Sequence, residues 1–267
     1  MDVVAEFEQV DVNALQTALV GTRFARGLRH FASIDSTNMA LMEAAADGAV
    51  EGTVYFADEQ TAGRGRGGHS WHSAPGDGLY VSALVKPSLK IADALLVSLA
   101  TGVAAYDAIR EVCGAQTDLR WPNDLLVNDK KCGGILVESA LEADGTLRYA
   151  VIGVGINVRH AAFPDELAPL ATSLKIATGR DVSRMQLLVT LLRALDLELT
   201  RLESNEKDAL MRRFAERSSW VWGKSVAVPE QGGYTGVTAG LDERGFLRVD
   251  SDDGVMRTVL SGGVRER

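Results

Sequence analysis

Two stretches close together in the chain, Lys131–Ser139 and Tyr149–Val158, are nearly all apolar. A strand with one face in water alternates apolar and polar residues, whereas a strand covered on both faces reads as a continuous apolar run. These two segments therefore belong at the centre of a sheet with something packed on each side. The second contains Gly153 and Gly155, and a glycine inside a strand leaves room for a ligand or another backbone, or marks a bulge. Further strands are predicted at Arg29–Ala32, Gly52–Asp58, Leu79–Val85 and Arg120–Val127. Helices are predicted at Val12–Val20, Met39–Ala46 (capped by Ser36 or Thr37), Ile91–Val112, Met185–Leu202 and Lys207–Arg217. Within Ile91–Val112, the residues Leu95, Leu96, Leu99, Val103, Ala104 and Ile109 recur at helical spacing and predict a core helix. The sum is an α+β chain, a mixed sheet with flanking helices.

After Trp220 the pattern changes to short strands with turn residues between them: Ser225–Pro229, Tyr234–Ala239, Gly245–Val249 and Met256–Leu260. A small SH3-like β-barrel is the expectation, with a boundary near Gly223 that divides the chain into residues 1–222 and 223–267. The formal net charge of −8 disfavours a phosphate-backbone partner. Cys113 and Cys132 form no CxxC pair and have no histidine at ligand spacing, which argues against a zinc site or disulfide framework and for a reducing cytoplasm. Met1–Val10 carries acidic groups where a signal peptide needs basic ones, and the apolar run Leu95–Ala105 is about half a membrane span. Neither export nor membrane insertion is expected.

Three stretches carry chemistry. Residues 60–71, QTAGRGRGGHSW, set glycines and two arginines between strands; such a loop can turn sharply and present backbone N–H groups and guanidinium forks to an anion. Taken alone it also reads as a flexible surface loop, and it is neither a Walker loop nor a dinucleotide fingerprint. In Arg120-Trp121-Pro122-Asn123-Asp124, the proline restricts Trp121 and presents Asn123 and Asp124 reproducibly. Asp124 is a candidate magnesium ligand, and a plain Asn-Asp turn is the alternative. Lys131 stands at the mouth of an apolar strand beside Gly133-Gly134, where an ammonium can stabilise charge developing on a phosphate. No serine or cysteine nucleophile is apparent.

Taken together, Ser36-Thr37-Asn38, Gln60–Arg66, Trp121–Asp124, Lys131–Leu136 and Gly153–Asn157 resemble the biotin protein ligase family in order and spacing, across nearly the whole chain. The resemblance implies a biotin/lipoate ligase catalytic domain, like that of class II aminoacyl-tRNA synthetases, followed by the small barrel. It implies an ATP-dependent ligase that makes biotinyl-5′-AMP and transfers biotin to a lysine of a biotin carboxyl carrier protein. The implied biotin contacts are Ser36, Thr37, Asn38, Gln60, Gly63, Arg64, Gly65, Arg66, Lys131, Gly134 and Gly155. Those to ATP or the adenylate are Arg66, His69, Trp71, Arg120, Asn123, Lys131 and Asn157, with Asp124 near Mg²⁺. Lys131, Arg64 and Arg66 carry the implied catalytic roles. Two positions depart from the family's pattern, which usually has Arg where His69 stands and Lys where Arg120 stands. Lipoate ligation and a biotin sensor without turnover are the competing readings. Some relatives add a DNA-binding domain, for which the residues before Ser36 are too few; no nucleic-acid or membrane partner is expected, and the implied state is a monomer or weak homodimer.

Overall fold

The computed structural model describes residues 8, 10–230 and 232–267, so nearly all of Met1–Val10, and the expectation that it is no signal peptide, lies outside them. Seven strands form one sheet: β1 (Gly27–Phe31), β2 (Thr53–Ala57), β3 (Gly78–Val85), β4 (Asp118–Arg120), β5 (Asp124–Val127), β6 (Lys130–Leu141) and β7 (Leu147–Asn157). Their order is β1-β2-β3-β7-β6-β5-β4. β1 and β2 run parallel and every other neighbouring pair is antiparallel. The two apolar stretches are β6 and β7, paired with each other in the interior of the sheet.

Side chains alternate between faces along a strand, and here the faces meet different partners. Ile135, Ile152, Val154 and Ile156 join a core with Leu96, Leu99 and Val103 of α3 (Ala94–Cys113) and the leucines of α5 (Arg184–Glu203). On the other face, Leu84, Tyr149 and Val151 pack against Leu41 and Ala45 of α2 (Thr37–Ala46). That smaller helix leaves part of the second face uncovered, and the cleft described below lies there. α1 (Val12–Ala18) and α6 (Lys207–Glu216) complete the helical side, and a short α4 (Leu174–Thr178), not foreseen, is capped by Ser173. With its leading turn, α3 is long and apolar enough to cross a membrane by length and composition; its apolar residues instead fill the core.

Two expectations are corrected. The single strand predicted over Arg120–Val127 is two strands, β4 and β5, folded back on each other around Trp121-Pro122-Asn123, with Arg120 directly opposite Asp124. β4 is three residues, Asp118-Leu119-Arg120, too short to show a periodicity of its own. The expected C-terminal barrel is an open sheet. β8 (Trp222–Val228), β9 (Tyr234–Leu241), β10 (Leu247–Ser251), β11 (Met256–Val259) and β12 (Arg265–Glu266) run in the order β11-β10-β9-β8-β12, and the edges β11 and β12 do not pair. Closure is not needed to cover the apolar face: Val226, Val228, Leu247, Val249 and Val259 belong to the same continuous core as α3.

This docking includes one buried polar contact. Trp121, at the β4–β5 turn, donates its indole N–H to the Gly245 carbonyl at 2.9 Å. Trp121→Phe would keep most of the packing and leave that carbonyl unpaired, so unfolding stability should fall by about 1–3 kcal/mol. Urea denaturation checks this: an unshifted midpoint would mean that the contact contributes nothing to docking.

Beyond β7, His160 is buried, stacked 4.9 Å from the Phe163 ring, and among the described residues neither ring nitrogen has a hydrogen-bond partner. Burial pushes its imidazole down to about 4, and the nearby Asp77 offsets this only in part. An unfolded histidine protonates near about 6.5. Between those values the unfolded chain binds more protons, so stability falls as pH drops from about 6.5 through about 4, by up to about 3 kcal/mol. His160→Leu should flatten this limb of the stability–pH curve; an unaltered slope would assign it to other groups.

Candidate active site

The cleft is a consequence of missing side chains. On its α2-facing side the sheet presents Tyr80 opposite Gly155 and Ser82 opposite Gly153, with Gly134 and Leu136 on the next strand. Gly153 and Gly155 thus make a bare lane across the sheet. A Cβ on Gly153 would lie 2.6 Å from the Asn38 amide oxygen, and one on Gly155 would lie 2.7 Å from the Trp71 indole. The competing account of these glycines, a bulge in the strand, does not hold, since β3 and β7 pair without a register shift.

At one end of the lane the polar side chains form a continuous relay. Ser36 caps α2 and is buried with Thr37 and Asn38. The Thr37 amide and hydroxyl both donate to Gln60 Oε1, at 2.9 and 3.1 Å. The Thr37 and Ser82 hydroxyls are 2.8 Å apart, and Ser82 donates to Asn38 Oδ1 at 3.0 Å. Asn38 Nδ2 then donates to Glu138 at 2.6 Å, while Gln60 Nε2 donates to Ser73 at 3.2 Å. Thr37 and Ser82 have one hydroxyl proton each, yet together they span contacts to Gln60 Oε1, to each other and to Asn38 Oδ1. One contact therefore lacks a proton. The relay has spare acceptor capacity, suited to a ligand that brings N–H donors.

The glycine-rich loop folds back on itself beside this relay. Gly65 donates to the His69 carbonyl at 2.7 Å and Trp71 to that of Gly63 at 2.8 Å, with the reversal made at Gly67 and Gly68, both at positive φ. This hairpin lays the Trp71 indole over Gly155 and Gly134; its N–H is buried and has no partner among the described residues. Arg64 reaches Glu138 at 3.4 Å, and Arg66 donates to the Gly262 carbonyl of the C-terminal sheet at 2.5 Å.

The other end of the lane is cationic. Lys131 Nζ is 2.5 Å from Asp124 Oδ1 and 5.5 Å from the Trp71 ring centre. Its orientation follows from a bulge. Leu125 pairs with Gly133 but Leu126 with Lys131, which leaves Cys132 unpaired. Strict alternation would put Lys131 on the core face with Gly133 and Ile135; the extra residue re-aims it. Asn123 is tied to β6 by its Nδ2 donating to the Ile135 carbonyl at 2.9 Å.

Of the residues singled out in the sequence, Ser36, Thr37, Asn38, Gln60, Arg64, Gly65 and Arg66 line the cleft. So do Trp71, Asn123, Lys131, Gly134 and Gly155. The others stand apart. Gly63 backs the loop, where a Cβ would meet the Trp71 carbonyl at 2.6 Å. His69 is exposed at the loop tip, and Asn157 is buried, donating to the Thr172 carbonyl at 3.1 Å. Arg120 and Asp124 lie behind Lys131 as an ion pair. Sequence reasoning missed Ser82 and Glu138, although a polar residue inside an apolar strand was a usable signal, and it missed Ser73 and Tyr80.

Comparison with known proteins agrees with this arrangement. Residues 30–157 match the Biotin/lipoate A/B protein ligase family, and residues 221–264 match the Biotin protein ligase C terminal domain. The Biotin--[acetyl-CoA-carboxylase] ligase of Mycobacterium tuberculosis is 32% identical over 266 residues, covering 95% of this chain and 94% of that protein. The Bifunctional ligase/repressor BirA of Bacillus subtilis is 33% identical over 226 residues, 84% of this chain and 69% of that protein. A biotin protein ligase from Aquifex aeolicus in complex with biotin and ATP superposes with a TM-score of 0.75 at 29% identity, covering 90% of this chain and 98% of that one. The chain belongs to the biotin protein ligase family.

The bare lane gives a direct test of the cleft. Gly155→Ala would drive a methyl group into the indole plane of Trp71. Biotin affinity should fall about tenfold or more, within the usual cost of overpacking, with a change in tryptophan fluorescence. Titration calorimetry decides the matter, since unchanged affinity would place the ligand elsewhere.

Proposed function

We propose that this protein activates biotin with ATP and joins it to a lysine of a biotin carboxyl carrier domain of an acyl-CoA carboxylase. The observation that carries the reading is the polarity of one cleft: an acceptor-rich relay at one end, Lys131 and Arg66 at the other. A ureido ring supplies the N–H donors that the relay can accept. A ligand without them would leave those buried groups unpaired, which is how polar pockets reject analogues. With the ring so held, the valerate chain runs along the glycine lane beside Trp71 and brings its carboxylate toward Lys131.

In the first step a carboxylate oxygen of biotin forms a bond to the α-phosphorus of ATP, the bond from that phosphorus to the bridging oxygen breaks, and pyrophosphate leaves. In the second, the acceptor lysine amine attacks the acyl carbon of the mixed anhydride, loses a proton, and AMP departs. No protein nucleophile is required. Lys131 draws together two anions that would otherwise repel, and Arg64 and Arg66 add fixed positive charge, so catalysis is positioning and electrostatics. Trp71 covers the reacting carboxylate and limits access by water.

Magnesium needs a donor that is free to bind it. Both oxygens of Asp124 face cations, Lys131 at 2.5 Å and Arg120 at 2.6 Å, and among the described residues no three His, Cys, Asp or Glu side chains gather as ligands. The residues present do not fit a resident cation, and we read magnesium as arriving with the nucleotide substrate. We keep the division at residues 222/223 as a proposal of two units; it falls at the first residue of β8, and the second unit lends the Gly262 carbonyl to Arg66. The buried free thiols Cys113 and Cys132 support a cytoplasmic setting.

Exchange of labelled pyrophosphate into ATP should depend on biotin, fail with lipoate, and fall about a hundredfold or more in Lys131→Ala. Exchange supported by lipoate would overturn the substrate assignment. Exchange with neither acid would leave a biotin-binding protein without turnover.

A further inference from the structure

Arg120 does not line the cleft. It faces Asp124 across the β4–β5 turn, and its Nε and one terminal N–H both donate to the same oxygen, Oδ2, at 3.1 and 2.6 Å. The other oxygen, Oδ1, is thereby left for Lys131 at 2.5 Å. The guanidinium is also held from the side, 5.4 Å from the ring centre of the buried Trp220. Trp220 is itself anchored, since its amide donates to Ser218 Oγ at 3.2 Å and that hydroxyl donates to the Leu119 carbonyl on β4.

We propose that Arg120 is a positioning residue that acts on Lys131 through Asp124 and does not contact the nucleotide. The inference rests on the reading of Lys131 as the group at the reacting phosphate. A lysine stem has four flexible bonds, and a fixed carboxylate at its tip is what selects one position at the mouth of the cleft. A carboxylate paired only with Lys131 would follow it or hold it back, and would repel an incoming phosphate. With two N–H groups engaged and the Trp220 ring beside it, Arg120 holds Asp124 in place and cancels its charge. Lys131 is then free to turn to the substrate oxygens. The pair Arg120–Asp124 is neutral as a unit, and the ammonium remains as net positive charge. Lysine at this position would supply the charge and N–H donors but not the rigid planar fork.

The test uses the full-length enzyme in the pyrophosphate-exchange assay, where wild-type turnover with biotin separately establishes the underlying reading. Arg120→Gln should lower kcat about tenfold or more, in the range of couplings between contacting side chains. The Kd for α,β-methylene ATP, by calorimetry in the presence of biotin, should stay within about threefold, and Arg120→Lys should recover part of the lost kcat. In an Asp124→Asn background, adding Arg120→Gln should cost little more, because the route through the carboxylate is already broken. Full additivity of the two substitutions, or a rise in nucleotide Kd that accounts for the whole loss, would make Arg120 a direct contact and overturn the proposal. Unchanged kcat in Arg120→Gln would overturn it as well. Arg120→Lys keeps the proposal falsifiable should Arg120→Gln fold poorly, since weakened nucleotide binding with kcat intact in that variant would also make Arg120 a direct contact.

Discussion

The hairpin of β6 and β7 has two incompatible tasks, and the way it meets both shapes everything else. One face must be densely apolar, because α3 packs on it and the core depends on Ile135, Ile152, Val154 and Ile156. The opposite face must be bare, because the cleft floor is backbone at Gly134, Gly153 and Gly155. Period-two alternation makes this possible: every second residue can be glycine without opening a hole in the core on the other side. The cost is a loss of strand propensity, and the flanking strand β3, buried along its whole length, compensates by pairing continuously with β7.

The same alternation explains why the cationic end needs an irregular backbone. A lysine two residues before Gly133 would point into the apolar core, where an ammonium is strongly disfavoured. The bulge at Cys132 turns it into the cleft and places the small, buried thiol where the side chain would have gone. Burial pushes that thiol up to about 12, which makes Cys132 a packing residue despite its position beside Lys131. Charge at this end is therefore set by backbone geometry first and by neighbours second.

Much of this was visible in the linear chain, for reasons that can be named. Continuous apolar runs marked β6 and β7 because burial on both faces removes the polar alternation that other strands show. The glycine-rich loop and Lys131 stood out because their residue types are poor choices for a core. What failed was what depends on distant partners. The β4–β5 turn is preceded by a strand of only three residues, and it shows as a turn once the pairing of Arg120 with Asp124 is known. β12 has two residues, too few for any periodicity, and whether β11 meets it decides between a barrel and an open sheet. Glu138 reads as an exception in an apolar strand, and only the sheet order reveals that Asn38 and Arg64 converge on it. Asp124 could be named as an ion ligand from its type, but not as the partner of two cations at once.

The open C-terminal sheet, matched on its own to the family's C-terminal domain, also contributes to this site. A closed barrel would satisfy its own edges and interior and need no neighbour. The open sheet instead shares its interior with α3, accepts the Trp121 indole N–H at Gly245, and meets Arg66 of the glycine-rich loop at Gly262. Trp121 immediately follows Arg120, and Arg66 lies on the loop that carries Trp71. The glycine-rich loop and the C-terminal sheet are therefore joined directly, through the hydrogen bond from Arg66 to the Gly262 carbonyl.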